Sequence, residues 1–257
     1  MMSSGQHNII RLSETASTNK DAMRLALSGE KLPLWVSAER QSAGRGRAGR
    51  TWVSSAGNLH ASVALCVTAP PASAGQLALV SGLALYEAVR AVVPPAKNIC
   101  LRLKWPNDLL IGAAKIGGIL VESTTARGGS EVIAVIGFGL NIESSPNDLG
   151  REVTSLKAAG AKTASDALLE TLAQELDLWL ERWENARGFD AIRRAWMERA
   201  GPLGERITIN SGQGQVHGTY QGLNETGGLV AEVEGRRETI TFGDVMLAAA
   251  ADTSKDG

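Results

Sequence analysis

Apolar residues recur at helical spacing in four stretches of the chain. In TNKDAMRLALSG, Ala22, Leu25 and Ala26 line one face, and Gly29 stands where a helix stops. Ala74–Val93 carries Leu77, Val80, Leu83, Leu85 and Val89 and is closed off by Pro94-Pro95, since proline cannot continue a helix. Ser165–Arg187 carries a stripe of Leu168, Leu169, Leu172, Leu176, Trp179, Leu180 and Trp183, with Ser165 placed as its N-cap. Phe189–Ala200 reads as a further helix. Alternating or continuous apolar runs predict strands at Leu34–Ala38, Asn58–Val67, Leu101–Trp105, Leu109–Ile111, Ile116–Glu122 and Val132–Leu140. The GAAK turn joins two of them into a hairpin. Helices segregated from hairpin-linked strands predict an α+β domain.

Past Gly201-Pro202 the texture changes. Arg206–Ile209, Gln215–Leu223, Leu229–Glu234 and Arg237–Phe242 are short strands separated by turns such as NSGQG and NETGG. That is an all-β pattern of the size of a small barrel. The expected division is a catalytic domain over 1–203, a β-module over 204–250 and a disordered tail over 251–257.

Composition narrows the function classes. Of 257 residues, 44% are apolar and 21% charged, which excludes a mainly disordered chain, a collagen and a coiled coil. With 27 acidic against 26 basic residues the net charge is −1, so a globally basic nucleic-acid binder is not expected, although a local basic patch is compatible. No apolar run approaches the ~18 residues of a membrane span, and MMSSGQHNIIRLSE lacks a signal peptide's apolar core, so a cytoplasmic protein is expected. The two cysteines, Cys66 and Cys100, are expected as buried thiols, and no metal site is expected from them.

Four segments carry candidate chemistry. AERQSAGRGRAGRTW places Arg40, Arg45, Arg47 and Arg50 among three glycines with no acid between them. Glycine lets main-chain N–H groups approach an anion, and arginine offers forked donors to carboxylate or phosphate. Alone, the segment fits an anion-binding loop as well as a solvated basic or RNA-binding one. LKWPNDLLIGAAKIGGILVES sets Lys104, Asn107, Asp108 and Lys115 among apolar strand residues, a pattern of either a structural ion pair or an anionic-substrate site. Gly117-Gly118 within that strand marks a close approach by ligand or backbone. VIGFGLNI has glycines two apart but no βαβ context, so it reads as a glycine bend beneath a ligand, with Asn141 as a polar contact. In ETASTNKDA, Ser17, Thr18 and Asn19 precede a helix. Capping explains one of them, and a helix start also presents donors to a small polar ligand.

Together and in this order, STN, QSAGRGRAGR followed by W, KWPND, KIGGILVE and GFGLN resemble the biotin protein ligases, over about Ser13 to Leu247. That resemblance implies a mixed-sheet α+β catalytic domain like the class II aminoacyl-tRNA synthetase core, helices on one side, and a C-terminal SH3-like barrel. It implies ATP and Mg²⁺ as cofactors, biotin as substrate, and a biotin carboxyl carrier domain as partner, with neither DNA nor membrane. By position, Ser17, Thr18, Asn19 and Gln41 would face biotin, with Gly117 and Gly118 beside it. Arg45, Gly46 and Arg47 would close over its carboxylate and the nucleotide phosphates. Lys115 would hold the carboxylate and α-phosphate oxygens. Arg50, Trp52, Lys104, Asn107 and Asn141 would serve the nucleotide, and Asp108 would accept or position a proton. The resemblance departs at His60 in NLHAS, where the family often has tyrosine. STN beginning at Ser17 leaves no room for the helix-turn-helix domain of some members, so DNA repression is not expected. A lipoate ligase is the nearest rival, but the glycine-triplet-plus-histidine loop typical of those enzymes is absent. An RNA-binding module is the other, although its expected aromatics beside the arginines are missing.

Overall fold

The elements run Ile9–Thr15 (β1), Thr18–Leu27 (α1), Leu34–Gln41 (β2), Leu59–Val67 (β3), Gln76–Val92 (α2), Leu101–Lys104 (β4), Asp108–Ile111 (β5), Ala114–Thr125 (β6), Val132–Leu140 (β7), Ser165–Trp183 (α3) and Phe189–Glu198 (α4). A second set follows: Arg206–Ser211 (β8), Gly214–Leu223 (β9), Leu229–Val233 (β10), Arg236–Ile240 (β11) and Asp244–Leu247 (β12). This is a computed structural model that describes residues 7–70, 73–94, 99–125, 132–147, 150–211 and 214–247. Pro95, part of the NSGQG turn and the expected tail at 251–257 lie outside them.

The first set forms a seven-stranded mixed sheet in the order β1-β2-β3-β7-β6-β5-β4. Only β1 and β2 pair in parallel. β3 shows how its two faces differ. Leu59, Ala61, Val63, Leu65 and Val67 enter the main core with α2 and α3, while Ala64 packs with Ala22 and Ala26 of α1. The period of two thus sends alternate residues to opposite sides. α2 and α3 cover one face, with α4 packed against both, while α1 covers part of the other, so the expectation of helices on one side does not extend to α1. That second face carries the functional site. Cys66 also points there, beyond the patch that the ten-residue α1 covers, and Cys100 precedes β4. Both are exposed, so the expectation of buried thiols fails for lack of a layer above them.

α2 is buried nearly all round because it lies between the sheet and α3. α3 begins at Ser165 rather than being capped by it, and it ends at Trp183, four residues before the predicted limit. Glu184 and Asn185 adopt left-handed backbone angles (φ 50° and 51°) that break the helix. β1 and β12 are missing from the sequence reading. One is a half-exposed edge strand and the other is only four residues long.

The second set forms an antiparallel sheet in the order β11-β10-β9-β8-β12. Its Ile207, Ile209, Tyr220, Leu229 and Val245 join the same apolar cluster as Leu79, Phe189 and Trp196. Polar ties reinforce the contact. Arg102 pairs with Glu205 at 2.7 Å, and the Trp105 indole N–H donates to the Gly227 carbonyl at 3.1 Å. The module is therefore packed onto the β4 edge of the first sheet. No helix among the described residues is long and apolar enough to cross a membrane.

Candidate active site

The site is a cleft on the α1 face of the sheet, and its floor is made of glycines. Gly137 and Gly139 of β7 and Gly118 of β6 project toward it, with Gly118 paired to Gly139. A Cβ on Gly137 would run into Asn19, one on Gly139 into the Trp52 ring, and one on Gly118 would lie 2.9 Å from Lys115 Nζ. The GFG bend therefore works by absence, since only hydrogen leaves room for these groups. Gly117 faces the other way, toward Leu140 and Leu85 of the core. It does not line the cleft, because adjacent strand residues point to opposite faces. Its expected biotin contact is corrected accordingly.

One wall is the start of α1. Ser17 holds the N-cap position with extended backbone but makes no side-chain cap bond. The Thr18 N–H is taken by Gln41 Oε1 at 2.9 Å instead. Gln41 also donates to Ser54 Oγ at 3.2 Å. Asn19 donates to Glu122 Oε2 at 2.8 Å, while Ser62 Oγ lies 2.6 Å from Asn19 Oδ1 and 2.7 Å from Thr18 Oγ1. Ser17, Thr18 and Asn19 are all buried, and this network fixes the orientation of Thr18 and Asn19. Helix capping thus accounts for none of the three side chains. Ser62, which organises two of them, was unmarked in the sequence because it sits inside an apolar strand run.

The opposite wall is the Arg/Gly segment, folded as a narrow hairpin. Gly46 N–H donates to the Arg50 carbonyl at 2.7 Å, and Trp52 N–H to the Gly44 carbonyl at 3.0 Å. Ala48 and Gly49 take positive φ at its tip. No acid stands within the segment, yet the fold brings acids to it. Arg45 pairs with Glu122 at 2.8 Å, and Arg47 and Arg50 both pair with Asp244 of β12, at 3.3 and 2.7 Å. Arg47 also donates to Asn107 Oδ1 and the Gly243 carbonyl, each at 3.3 Å. Such partly exposed pairs are worth only ~0–1 kcal/mol each, so an anionic ligand can exchange with them.

At the inner end lies a buried ionic triad. Asp108 receives Lys115 on one oxygen and Lys104 on the other, the latter at 2.9 Å, with side-chain exposures of 9%, 12% and 18%. Burial works against the Asp108 charge, but the two ammonium groups prevail and hold its carboxyl far below the usual range. Burial pulls Lys115 below the ordinary lysine range, against the attraction of Asp108. A carboxylate so engaged is a counter-ion. It is a poor proton acceptor, which of the two roles expected of Asp108 disfavours proton acceptance and leaves positioning. Lys104 also donates to the Val245 carbonyl at 2.7 Å and lines no part of the cleft, so its expected nucleotide contact becomes a tie to the C-terminal module. Lys115 Nζ faces the cleft, 5.8 Å from the Trp52 ring centre.

His60 is fully buried under Trp52. Its Nδ1 accepts the Trp52 indole N–H at 3.3 Å, which leaves Nε2 to donate to the Ser55 carbonyl, also at 3.3 Å. Burial lowers its pKa below 6.5 and keeps the ring neutral. A histidine in place of the family's tyrosine thus orients Trp52 by hydrogen bonding. Because the folded pKa is depressed, the stabilisation is complete above pH 6.5 and declines as pH falls below it. Wild-type thermal stability should fall between pH 6.5 and 5 more steeply than that of His60→Gln, measured by circular dichroism melts.

A smaller cleft adjoins the first, sharing Thr51, Trp52, Lys115 and Arg151 with it and adding Asn141 and Val153. Asn58 Oδ1 fixes the chain that follows Asn141 by accepting the N–H groups of Ile142, Glu143 and Ser144. Neither Asn58 nor Arg151 stands out in the sequence: Asn58 reads as the first residue of a strand, although the strand begins at Leu59, and Arg151 lies in an irregular segment. No group of three or more His, Cys, Asp or Glu side chains able to hold a metal occurs among the described residues.

Residues 9–141 match the Biotin/lipoate A/B protein ligase family, and residues 203–247 match the Biotin protein ligase C terminal domain. The chain is 36% identical over 244 residues to a biotin--[acetyl-CoA-carboxylase] ligase of Paracoccus denitrificans, covering 92% of this chain and 99% of that protein. It is 33% identical over 250 residues to the Mycobacterium tuberculosis ligase of the same name, covering 95% and 90%. A solved biotin protein ligase from Aquifex aeolicus in complex with biotin and ATP superposes with TM-score 0.77 and 27% identity, covering 95% of this chain and 99% of that one. With both halves matched in order along the relatives' length, the chain belongs to the biotin protein ligase family.

Proposed function

We propose that the chain activates biotin with ATP as biotinoyl-5′-AMP and transfers it to a lysine of a biotin carboxyl carrier domain, in the cytoplasm. The observation that carries this reading is a cleft rich in cations and, among the described residues, without a carboxylate in its lining, walled at one end by the buried polar set Ser17, Thr18 and Asn19. The polar set suits a ureido ring, and the cations suit a carboxylate meeting a phosphate.

In the first step a biotin carboxylate oxygen attacks the α-phosphorus, the bond to the bridging oxygen breaks, and pyrophosphate leaves. Negative charge gathers as carboxylate and phosphate approach, and fixed cations lower that barrier. Lys115, Arg45 and Arg47 supply them, with Gly46 letting the hairpin lie close. Trp52 packs against the adenylate, Asn141 serves the adenine cleft, and Arg50 and Asn107 support the phosphate side. In the second step the lysine nitrogen attacks the acyl carbon, the bond to the phosphate oxygen breaks, and AMP leaves. That lysine must first lose its proton, and Asp108 is not free to take it. Mg²⁺ fits this site only as the companion of the nucleotide phosphates, because the lining offers no carboxylate ligand among the described residues. The C-terminal module is assigned to placing the carrier, and its Asp244 also supports the Arg/Gly hairpin.

The test is mass spectrometry of a carrier domain incubated with the protein, biotin and ATP. A single lysine should gain one biotinyl group, and only when ATP is present. An unmodified carrier under these conditions would contradict the proposal.

A further inference from the structure

Among the described residues, four cations of the cleft already have a carboxylate. Arg45 has Glu122, Arg47 and Arg50 share Asp244, and Lys115 has Asp108. Arg151 also lines the cleft but makes no ion pair with any described residue. Its position is nonetheless set. Lys115 N–H donates to the Glu152 carbonyl at 3.0 Å, and Thr154 N–H donates to the Lys115 carbonyl at 3.0 Å, so the backbone after Arg151 is zipped to that of Lys115. Arg151 is shared by the main cleft and by the smaller one that holds Asn141. It is exposed at the rim, whereas Lys115 is buried beneath it.

We infer that Arg151 binds the β- and γ-phosphates of ATP and guides pyrophosphate out. This rests on the proposed ligase reaction. An anion bound between the two clefts with its α-phosphate at the buried Lys115 must run its remaining phosphates toward solvent, because pyrophosphate has to depart that way. Among the described residues, the exposed cation at the junction of the two clefts that has no carboxylate of its own is Arg151. Its guanidinium offers forked donors suited to phosphate. Its like charge also pushes the Lys115 pKa down, which adds a reason for an anion to settle between them.

The experiment compares Arg151→Ala and Arg151→Lys with wild type, using ATP, biotin and separately prepared biotinoyl-AMP. Arg151→Ala should raise KM for ATP ~10–100-fold, the effect of losing a charge-assisted hydrogen bond, and should weaken pyrophosphate-driven breakdown of biotinoyl-AMP to a similar degree. KM for biotin, melting temperature and transfer from preformed biotinoyl-AMP should stay within about twofold or unchanged, since none of these involves the outer phosphates. Arg151→Lys should recover most of the loss, because the charge is kept. An unchanged KM for ATP in Arg151→Ala overturns the assignment. So does a parallel loss of transfer, or an Arg151→Lys variant no better than alanine. A wild-type chain that releases no pyrophosphate with biotin overturns the ligase reaction itself, and this assignment with it.

Discussion

Replacing Lys115 with alanine lowers biotin-dependent pyrophosphate release by ~10²–10³-fold while the protein remains folded. The size follows from removing one donor fixed at the point where two negative groups must meet. Lys115 is held for that task from three sides: Asp108 takes its charge, Gly118 leaves room for its chain, and residues 152–154 bond to its backbone. The fold persists because Asp108 keeps Lys104 as a partner at 2.9 Å. Pyrophosphate release and a thermal melt on the same preparation check both parts. Unchanged release removes Lys115 from the chemistry, and an unfolded variant makes it structural.

Replacing Asp108 with alanine has the largest effect on stability. It leaves two buried ammonium groups facing each other without a counter-charge, and breaking such a buried arrangement costs ~3–5 kcal/mol. In a chain of this length the melting temperature should then fall on the order of ten degrees. The same argument sets a pH dependence. The folded pKa of Asp108 lies below its ordinary value of about 3.8, so its contribution is complete above that pH and is lost as pH falls below it. Acid unfolding of wild type should therefore steepen below about pH 4, and Asp108→Asn should flatten that limb. If Asp108 instead acted as the base, Asp108→Asn would abolish transfer with stability and adenylate formation intact. Equilibrium unfolding across pH, beside the two half-reactions, separates these outcomes.

Much of this site was legible in the sequence, and the reasons differ by residue. The Arg/Gly segment, the STN helix start and the GFG bend were visible because their chemistry is local. A dense run of like charges, three polar residues before a helix, and glycines in a strand each stand out within ten residues. What local reading could not reach was pairing across the fold. Glu122 and Asp244 lie far along the chain from the arginines they neutralise. Lys104 and Lys115 looked equivalent, yet only Lys115 faces the cleft, and Lys104 turns to the C-terminal module. Gly117 and Gly118 were also inseparable until the strand's facing was known, since a shift of one residue exchanges core for cleft. Ser62 lay hidden in a strand whose alternate positions serve two different layers, and His60 stood out there as a departure from tyrosine without showing that it bonds Trp52. The helices and central strands were legible because their apolar periods are long, whereas β1 and β12 are half-exposed or short.

The central claim is that this cleft activates biotin rather than a linear acyl chain. Pyrophosphate release with ATP is the direct measurement, comparing biotin, lipoate and octanoate at equal concentration. Release with biotin alone is predicted, because Thr18 and Asn19, oriented by Gln41, Ser62 and Glu122, stand beside the buried Ser17 as a polar set to meet a polar ring. Release with lipoate or octanoate and none with biotin would contradict the account.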